Sequence, residues 1–197
     1  EVQARMAELC SHLFIDEAHH AEAATWKRFK SHFKGQSLIL QFTATPFRED
    51  GKPLDGKIIY VYPMRQAQSE GYFKPIRFSS VYAFNSARAD RDIAEKAIEE
   101  LHADTTGLHV VMARVSTQAR ATEVHAIYEA LGQFNPVVIH SGLKETEIDA
   151  ARTKLKSGES RIVICVDMLG EGFDMPELKI AAFHDLRKSL AVTLQLA

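Results

Sequence analysis

The sequence predicts an α/β fold of parallel sheets, divided into two units near residues 71–75. Two apolar runs, Leu13-Phe14-Ile15 and Leu38-Ile39-Leu40, are separated by one helical segment and end in polar residues. Continuous runs of that kind read as parallel strands buried on both faces. From residue 76 onward strand-like and helix-like segments alternate, and parallel neighbours need crossovers of this type. With 46% hydrophobic and 25% charged residues in 197, the chain has apolar material for one large unit or parts of two.

Val2, Met6 and Leu9 are spaced as one helical face, and Leu13-Phe14-Ile15 is the first strand. Trp26, Phe29 and Phe33 share a face of the next helix, which Gly35 stops, and Leu38–Phe42 is the second strand. Residues 46–56 hold Pro46, Glu49-Asp50-Gly51-Lys52-Pro53 and Asp55-Gly56, the turn signals of a long surface loop. Ile58-Ile59-Tyr60-Val61-Tyr62 reads as a strand, and Gly71-Tyr72-Phe73-Lys74-Pro75 as a hinge. A strand is expected from Ile76 to Phe84, then a helix capped by Asp90 with Ile93, Ala97, Ile98 and Leu101 on its apolar face. Leu108 to Ala113 is the next strand; Ser116 caps a helix carrying Val124, Ile127, Tyr128 and Leu131, and Pro136 to His140 follows as strand. Ile148, Ala151 and Leu155 line a helix ended by Ser157-Gly158. Strands at Arg161–Val166 and Lys179–His184 complete the series.

Composition excludes several classes. No apolar run approaches the roughly 18 residues of a membrane helix, and no charged-then-apolar signal pattern opens the chain, so no membrane association and a cytoplasmic place are expected. Cys10 and Cys165 lie in apolar patterns and are expected as reduced packing residues. The net charge of −2 gives no global basic signature, although a local cleft can bind a phosphate backbone under an acidic surface. Cys10, His12, His19 and His20 contain no Cys-x-x-Cys, so zinc is not expected. There is no Gly-x-Ser-x-Gly nucleophile turn, and Gly170-x-Gly172 lacks the third glycine of a dinucleotide loop.

The chemistry-bearing residues cluster at strand ends. Asp16 and Glu17 follow the first strand, and open α/β sheets bind ligands at that edge. One carboxylate can hold magnesium through water while the next positions a hydrolytic water on a terminal phosphate. The plainer reading is two surface acids capping the next helix, with His19 a polar strand-end residue and no role assigned to His20. Thr43 and Thr45 end the second strand and can equally bond local backbone. Arg114, Ser141 and Gly142 stand at later strand ends, where a cation, a hydroxyl and backbone N–H groups suit phosphates. Gly172 and Asp174 follow the apolar run Val163-Ile164-Cys165-Val166, and the plainer reading there is a glycine-rich turn.

Asp16-Glu17-Ala18-His19 resembles the Asp-Glu-Ala-His box of superfamily 2 helicases and translocases, and Thr43-Ala44-Thr45 resembles their motif III. Pro46-Phe47-Arg48 extends the likeness to the branch of type III and type I restriction enzymes. Val110-Val111-Met112-Ala113-Arg114 resembles motif IV, Val138-Ile139-His140-Ser141-Gly142 the next strand-turn element, and Asp167-Met168-Leu169-Gly170-Glu171-Gly172-Phe173-Asp174 motif V. Val166 departs from the threonine that many relatives carry, which puts one phosphate contact in doubt. Thr193-Leu194-Gln195-Leu196-Ala197 resembles the start of motif VI.

The resemblance implies two RecA-like parallel-sheet domains, both incomplete. Residues 1–75 would be the C-terminal part of the first, ATP-binding domain, and residues 76–197 the second, helicase C-terminal domain, cut before the motif VI arginines. It implies ATP and Mg²⁺ as cofactors, with Asp16 binding magnesium through water, Glu17 activating the hydrolytic water, and Asp174 facing the ribose. Gly172 would approach nucleotide and nucleic acid. Arg114, Ser141, Gly142 and Gly172 would contact a nucleic-acid backbone, while His19, Thr43, Thr45 and Gln195 would couple nucleotide state to that grip. Double-stranded DNA is the favoured partner, with RNA possible, and a nuclease or methyltransferase domain or subunit is a possible companion. The chain starts at Glu1, lacks a Gly-x-x-x-x-Gly-Lys-Ser/Thr loop and stops at Ala197 in an apolar segment. An excerpt of a longer protein, inactive alone, is therefore expected. The alternatives are an RNA helicase of the Asp-Glu-Ala-His class and a non-catalytic RecA-like scaffold.

Overall fold

The computed structural model describes residues 2–21, 23–33, 35, 38–44, 53–72, 74–83, 85–166 and 175–185. The chain falls into two compact units, one running to Pro75 and the other beginning at Ile76.

The first unit holds α1 (Val2–Leu9), β1 (His12–Ile15), a 3-10 turn (Ala18–His20), α2 (Ala24–Phe33), β2 (Leu38–Gln41) and α3 (Met64–Ser69). β1 and β2 are parallel, with His12 opposite Leu38 and Ile15 opposite Gln41. On α2 the residues Trp26, Phe29 and Phe33 form an edge-to-face chain, with ring centroids 5.9 and 5.2 Å apart. Gly35 follows at φ 100°, a left-handed conformation suited to glycine. A small core joins Ile15, Ala18 and Ala21 to Leu13, Ile39 and Leu54.

Three expectations for this unit need correction. β1 is not buried on both faces: Phe14 is 63% exposed, because among the described residues β1 pairs with β2 alone. Residues 58–62 form no strand, since β-branched and aromatic residues favour extended backbone but a ladder needs a paired neighbour. Instead the six-residue α3 begins after Pro63, where the missing N–H costs the helix nothing. Cys10 is exposed just after α1 rather than packed.

The second unit contains α4 (Ser86–His102), β3 (Val110–Val115), α5 (Gln118–Ala130), β4 (Val137–Ile139), α6 (Glu145–Lys156), β5 (Ile162–Val166) and β6 (Leu178–Phe183). The four strands are parallel in the order β4-β5-β3-β6. Strand alternation divides the core between the two faces. Val111, Ala113, Val115, Ile162 and Ile164 pack with Ala94, Ala97, Ile98 and Leu101 of α4 and Ala121, Val124 and Tyr128 of α5. Val110, Met112, Val163 and Cys165 pack with Ile148, Ala151 and Leu155 of α6. Each sheet face is thus covered by helices, as parallel sheets require.

Here too the termini differ from expectation. The described part of residues 76–84 is not a strand, for want of a paired neighbour among the described residues. α4 begins at Ser86, which places Asp90 inside the helix, where its carboxylate binds side chains rather than capping. Thr117, not Ser116, caps α5, its hydroxyl accepting from the Arg120 N–H at 3.2 Å. α6, by contrast, runs to Lys156 and is ended as expected by Ser157 and by Gly158 at φ 76°. Among the described residues no buried side-chain nitrogen or oxygen lacks a hydrogen-bond partner, and no helix is long and apolar enough to cross a membrane.

Candidate functional site

In the first unit the chain leaves β1 at Ile15, whose carbonyl accepts from Phe42 N–H at 2.8 Å, while the Phe42 carbonyl accepts from Ala18 N–H at 2.9 Å. These bonds stitch the carboxyl ends of β1 and β2 together and leave Asp16 and Glu17 exposed between them. Asp16 Oδ1 accepts the Glu17 N–H at 2.9 Å. Glu17 itself is left-handed, at φ 47° and ψ 48°. A glutamate there is sterically disfavoured, and such outliers concentrate at functional sites. The turn also delivers His19: its Nδ1 lies 3.2 Å from Thr43 Oγ1 and 3.4 Å from Glu17 Oε2. One imidazole thus stands between the end of β2 and the second acid of the pair. Thr45 lies outside the described residues.

In the second unit three strand exits lie side by side, with Val115 opposite Val166 and Arg114 opposite both Cys165 and Phe183. Ser141 and Gly142 form an exposed turn after β4, and the Gly142 N–H donates to His140 Nδ1 at 3.1 Å. A Cβ at Gly142 would come within 2.7 Å of the Gln118 amide, the movable end of an exposed side chain at the start of α5. Arg114 corrects an expectation. It is only 4% exposed, because alternation along β3 turns it to the α6 face with Val110 and Met112, so it does not present a surface cation to a phosphate. Gly172, Asp174 and Gln195 lie outside the described residues.

The reading of the sequence missed a polar ring at this edge. Asp185 Oδ2 accepts from the Ser116 N–H at 2.7 Å and hydroxyl at 2.8 Å, and Oδ1 accepts from Arg120 Nε at 3.1 Å. Arg120 Nη2 donates to both oxygens of Asp90, at 2.9 and 2.7 Å, and Nη1 donates to Glu123 at 2.8 Å. His184 closes the ring: Nδ1 lies 3.0 Å from Asp90 Oδ1, and Nε2 lies 3.2 Å from the Tyr128 hydroxyl. That pattern suits a neutral imidazole donating at Nδ1 and accepting from tyrosine at Nε2.

The charges follow from these contacts. Burial lowers the His184 pKa against the opposing pull of Asp90, and burial first of all raises that of Tyr128. Burial pushes Asp185 upward, but hydrogen bonds from Ser116 and the nearby Arg120 outweigh it and hold the carboxyl below its ordinary value. The signal for this ring was an acid after an apolar strand, Phe183-His184-Asp185, the same pattern that drew attention to Asp16.

Residues 92–197, more than half of the chain, match the helicase conserved C-terminal domain. The chain belongs to the helicase conserved C-terminal domain family. Residues 4–48 of this helicase-family chain match the type III restriction enzyme, res subunit, so it is a superfamily 2 chain of restriction-enzyme-like kind. A 51.5 kDa protein of a Lactococcus phage (isolate 7-9) is 26% identical over 203 residues, covering 93% of this chain and 44% of the relative. A candidate ATP-dependent helicase, IRC3 of Saccharomyces cerevisiae, is 23% identical over 212 residues, covering 93% of this chain and 31% of the relative. The chain thus spans less than half the length of these curated relatives. A fragment of an HsdR-subunit candidate of a type I restriction enzyme from Vibrio vulnificus YJ016 has a TM-score of 0.62 at 17% identity, over 94% of this chain and 39% of that one. Mycobacterium smegmatis Lhr, a helicase bound to ssDNA and AMP-PNP, has a TM-score of 0.57 at 15% identity, over 99% of this chain and 27% of that one. At such identity the likeness concerns the RecA-like fold.

Proposed function

We propose that this chain belongs to an ATP-dependent nucleic-acid helicase or translocase acting on double-stranded DNA. Residues 1–75 would form the C-terminal part of its ATP-binding domain and residues 76–197 its second RecA-like domain. One observation carries the reading. An exposed Asp-Glu pair, its second member held left-handed, stands at the carboxyl edge of a parallel strand and is joined through His19 to the end of the next strand.

The donor set suits ATP with magnesium. The exposed Asp16 and Glu17 carboxylates suit magnesium, a cation that keeps several waters and takes one or two carboxylates. Asp16 would hold the ion through water, with its carboxylate oriented by the Glu17 N–H. Magnesium with ATP supplies neutralisation of charge on the phosphates. Glu17 would accept the proton of the attacking water, and its exposed carboxylate is open to one. His19, within reach of both Glu17 and Thr43, would relay occupancy of the acid pair to β2 and toward Thr45. Ser141, exposed in its turn, would meet a nucleic-acid phosphate. The roles of Gly172, Asp174 and Gln195 rest on the resemblance of their motifs.

Duplex DNA is preferred because the amino-terminal match is to a restriction-enzyme subunit and a type I restriction subunit candidate shares the fold. A nuclease or methyltransferase domain or subunit would accompany the motor. The test is ATP turnover by the complete protein with duplex DNA, single-stranded DNA or RNA added. Stimulation greatest with duplex DNA is expected, and stimulation by RNA alone would overturn the substrate assignment.

A further inference from the structure

The ring around Arg120 does not look like a device for stability. Three carboxylates, of Asp90, Glu123 and Asp185, surround one guanidinium, and all these groups keep some exposure to water. Ion pairs of that kind contribute little to folding. A planar guanidinium fork does fix direction, because its donors point in set directions and are taken here by Asp90 on α4, Glu123 on α5 itself and Asp185 after β6.

What the ring fixes is the carboxyl edge. Ser116 is the first residue after β3 and stands two residues beyond Arg114. Asp185 is the second residue after β6 and stands ten residues before Gln195. The Arg114 carbonyl also accepts the His184 N–H at 3.1 Å, so the exits of β3 and β6 are joined by backbone and side chain together. Asp90 and Arg120 tie both exits to α4 and to the first turn of α5.

The same sheet carries its own control. At the amino edge Asp104 accepts from Thr106, from the His109 N–H at 2.9 Å and from Arg161 Nη2 at 2.7 Å, just ahead of β3 and β5. That knot touches none of the candidate site residues.

We propose that Arg120 and Asp185 are positioning residues for ATP turnover, holding the exit of β3, which lies beside the β5 exit that leads on to Gly172 and Asp174, and the exit of β6, which leads on to Gln195. The inference rests on the ATPase reading above. The test is DNA-stimulated ATPase of the complete protein, with kcat, KM and Tm compared among variants. Asp185→Asn, which weakens the grip on Arg120, should lower kcat about tenfold or more, as small misplacements near a reacting centre do. KM for ATP should stay within about twofold, because no group that touches nucleotide is removed. Arg120→Lys, with its charge but not its fork, should retain part of the activity, and Ser116→Ala, which leaves every charge in place, should show a smaller loss of the same kind. Asp104→Asn should lower Tm while kcat at a permissive temperature stays at the wild-type value.

Wild-type kcat in Asp185→Asn would overturn the proposal, as would losses of kcat that simply follow losses of Tm at both edges. If Asp185→Asn fails to fold, Ser116→Ala decides by the same criteria. Glu17→Gln assayed in parallel separates the two claims. If neither it nor the wild type shows DNA-stimulated turnover, the ATPase reading falls and the positioning role with it. If it abolishes turnover while Asp185→Asn does not, the positioning role alone falls.

Discussion

Glu17 shows what a single residue can reveal once its backbone is known. Its place after an apolar strand was legible in the sequence; its left-handed conformation was not, because the bonds that frame the turn reach to Phe42, remote in sequence. Left-handed backbone costs a side-chain-bearing residue about 1–2 kcal/mol, and glycine returns part of this as extra chain entropy lost on folding. Glu17→Gly is therefore expected to raise stability by about 0.5–1 kcal/mol in a denaturant titration while removing the carboxylate. A net loss of stability would show that the turn stores no strain. His184 makes a second prediction. Burial holds its folded pKa below the ordinary value of 6.5. As pH falls below about 6.5 the unfolded chain takes up a proton that the folded chain refuses, so stability is full above that value and declines as pH drops toward the folded pKa. Tm should fall between pH 7 and 5 more steeply in the wild type than in His184→Gln, where Asp90, Arg120, Tyr128 and Asp185 face an uncharged amide. Equal slopes would contradict the burial of a neutral imidazole. The depressed Asp185 acts at lower pH, its contribution being present above about 4 and lost below it.

At the scale of elements, the helices and strands of the second unit were mostly legible because period and burial agree. Ile148, Ala151 and Leu155 do line α6, and β5 is a continuous apolar run buried on both faces. Residues 58–62 and 76–83 show the limit, since their composition sets an extended backbone but pairing is a property of the neighbour, which a local pattern does not contain. Asp90 and Ser116 failed for a related reason. Both are good capping residues, yet partners remote in sequence, Arg120 and Asp185, claim their side chains. Two tests belong here. Ile164 is wholly buried between β3 and β4, so Ile164→Ala should cost about 2–5 kcal/mol, read as a fall in the denaturation midpoint. Gly158 has open space around a would-be Cβ, so Gly158→Ala should cost only the left-handed penalty of about 1 kcal/mol. A much larger loss would mean that packing, not backbone, selects glycine there.

For the whole molecule, the net charge of −2 and the ordinary composition said little about function, and the informative features were local. The order of strand-end polar residues was legible as a helicase-like series, and the match over residues 92–197 shows that family. The polar ring was not legible, because its members are spread from Asp90 to Asp185 and meet only when β6 is laid beside β3. The role of Glu17 in handling the proton of the hydrolytic water is tested by ATP turnover of the complete protein carrying Glu17→Gln. General bases contribute about 10²–10⁴-fold, so turnover should fall at least about a hundredfold with ATP binding retained. Turnover equal to that of the wild type, with ATP bound as tightly, would contradict it.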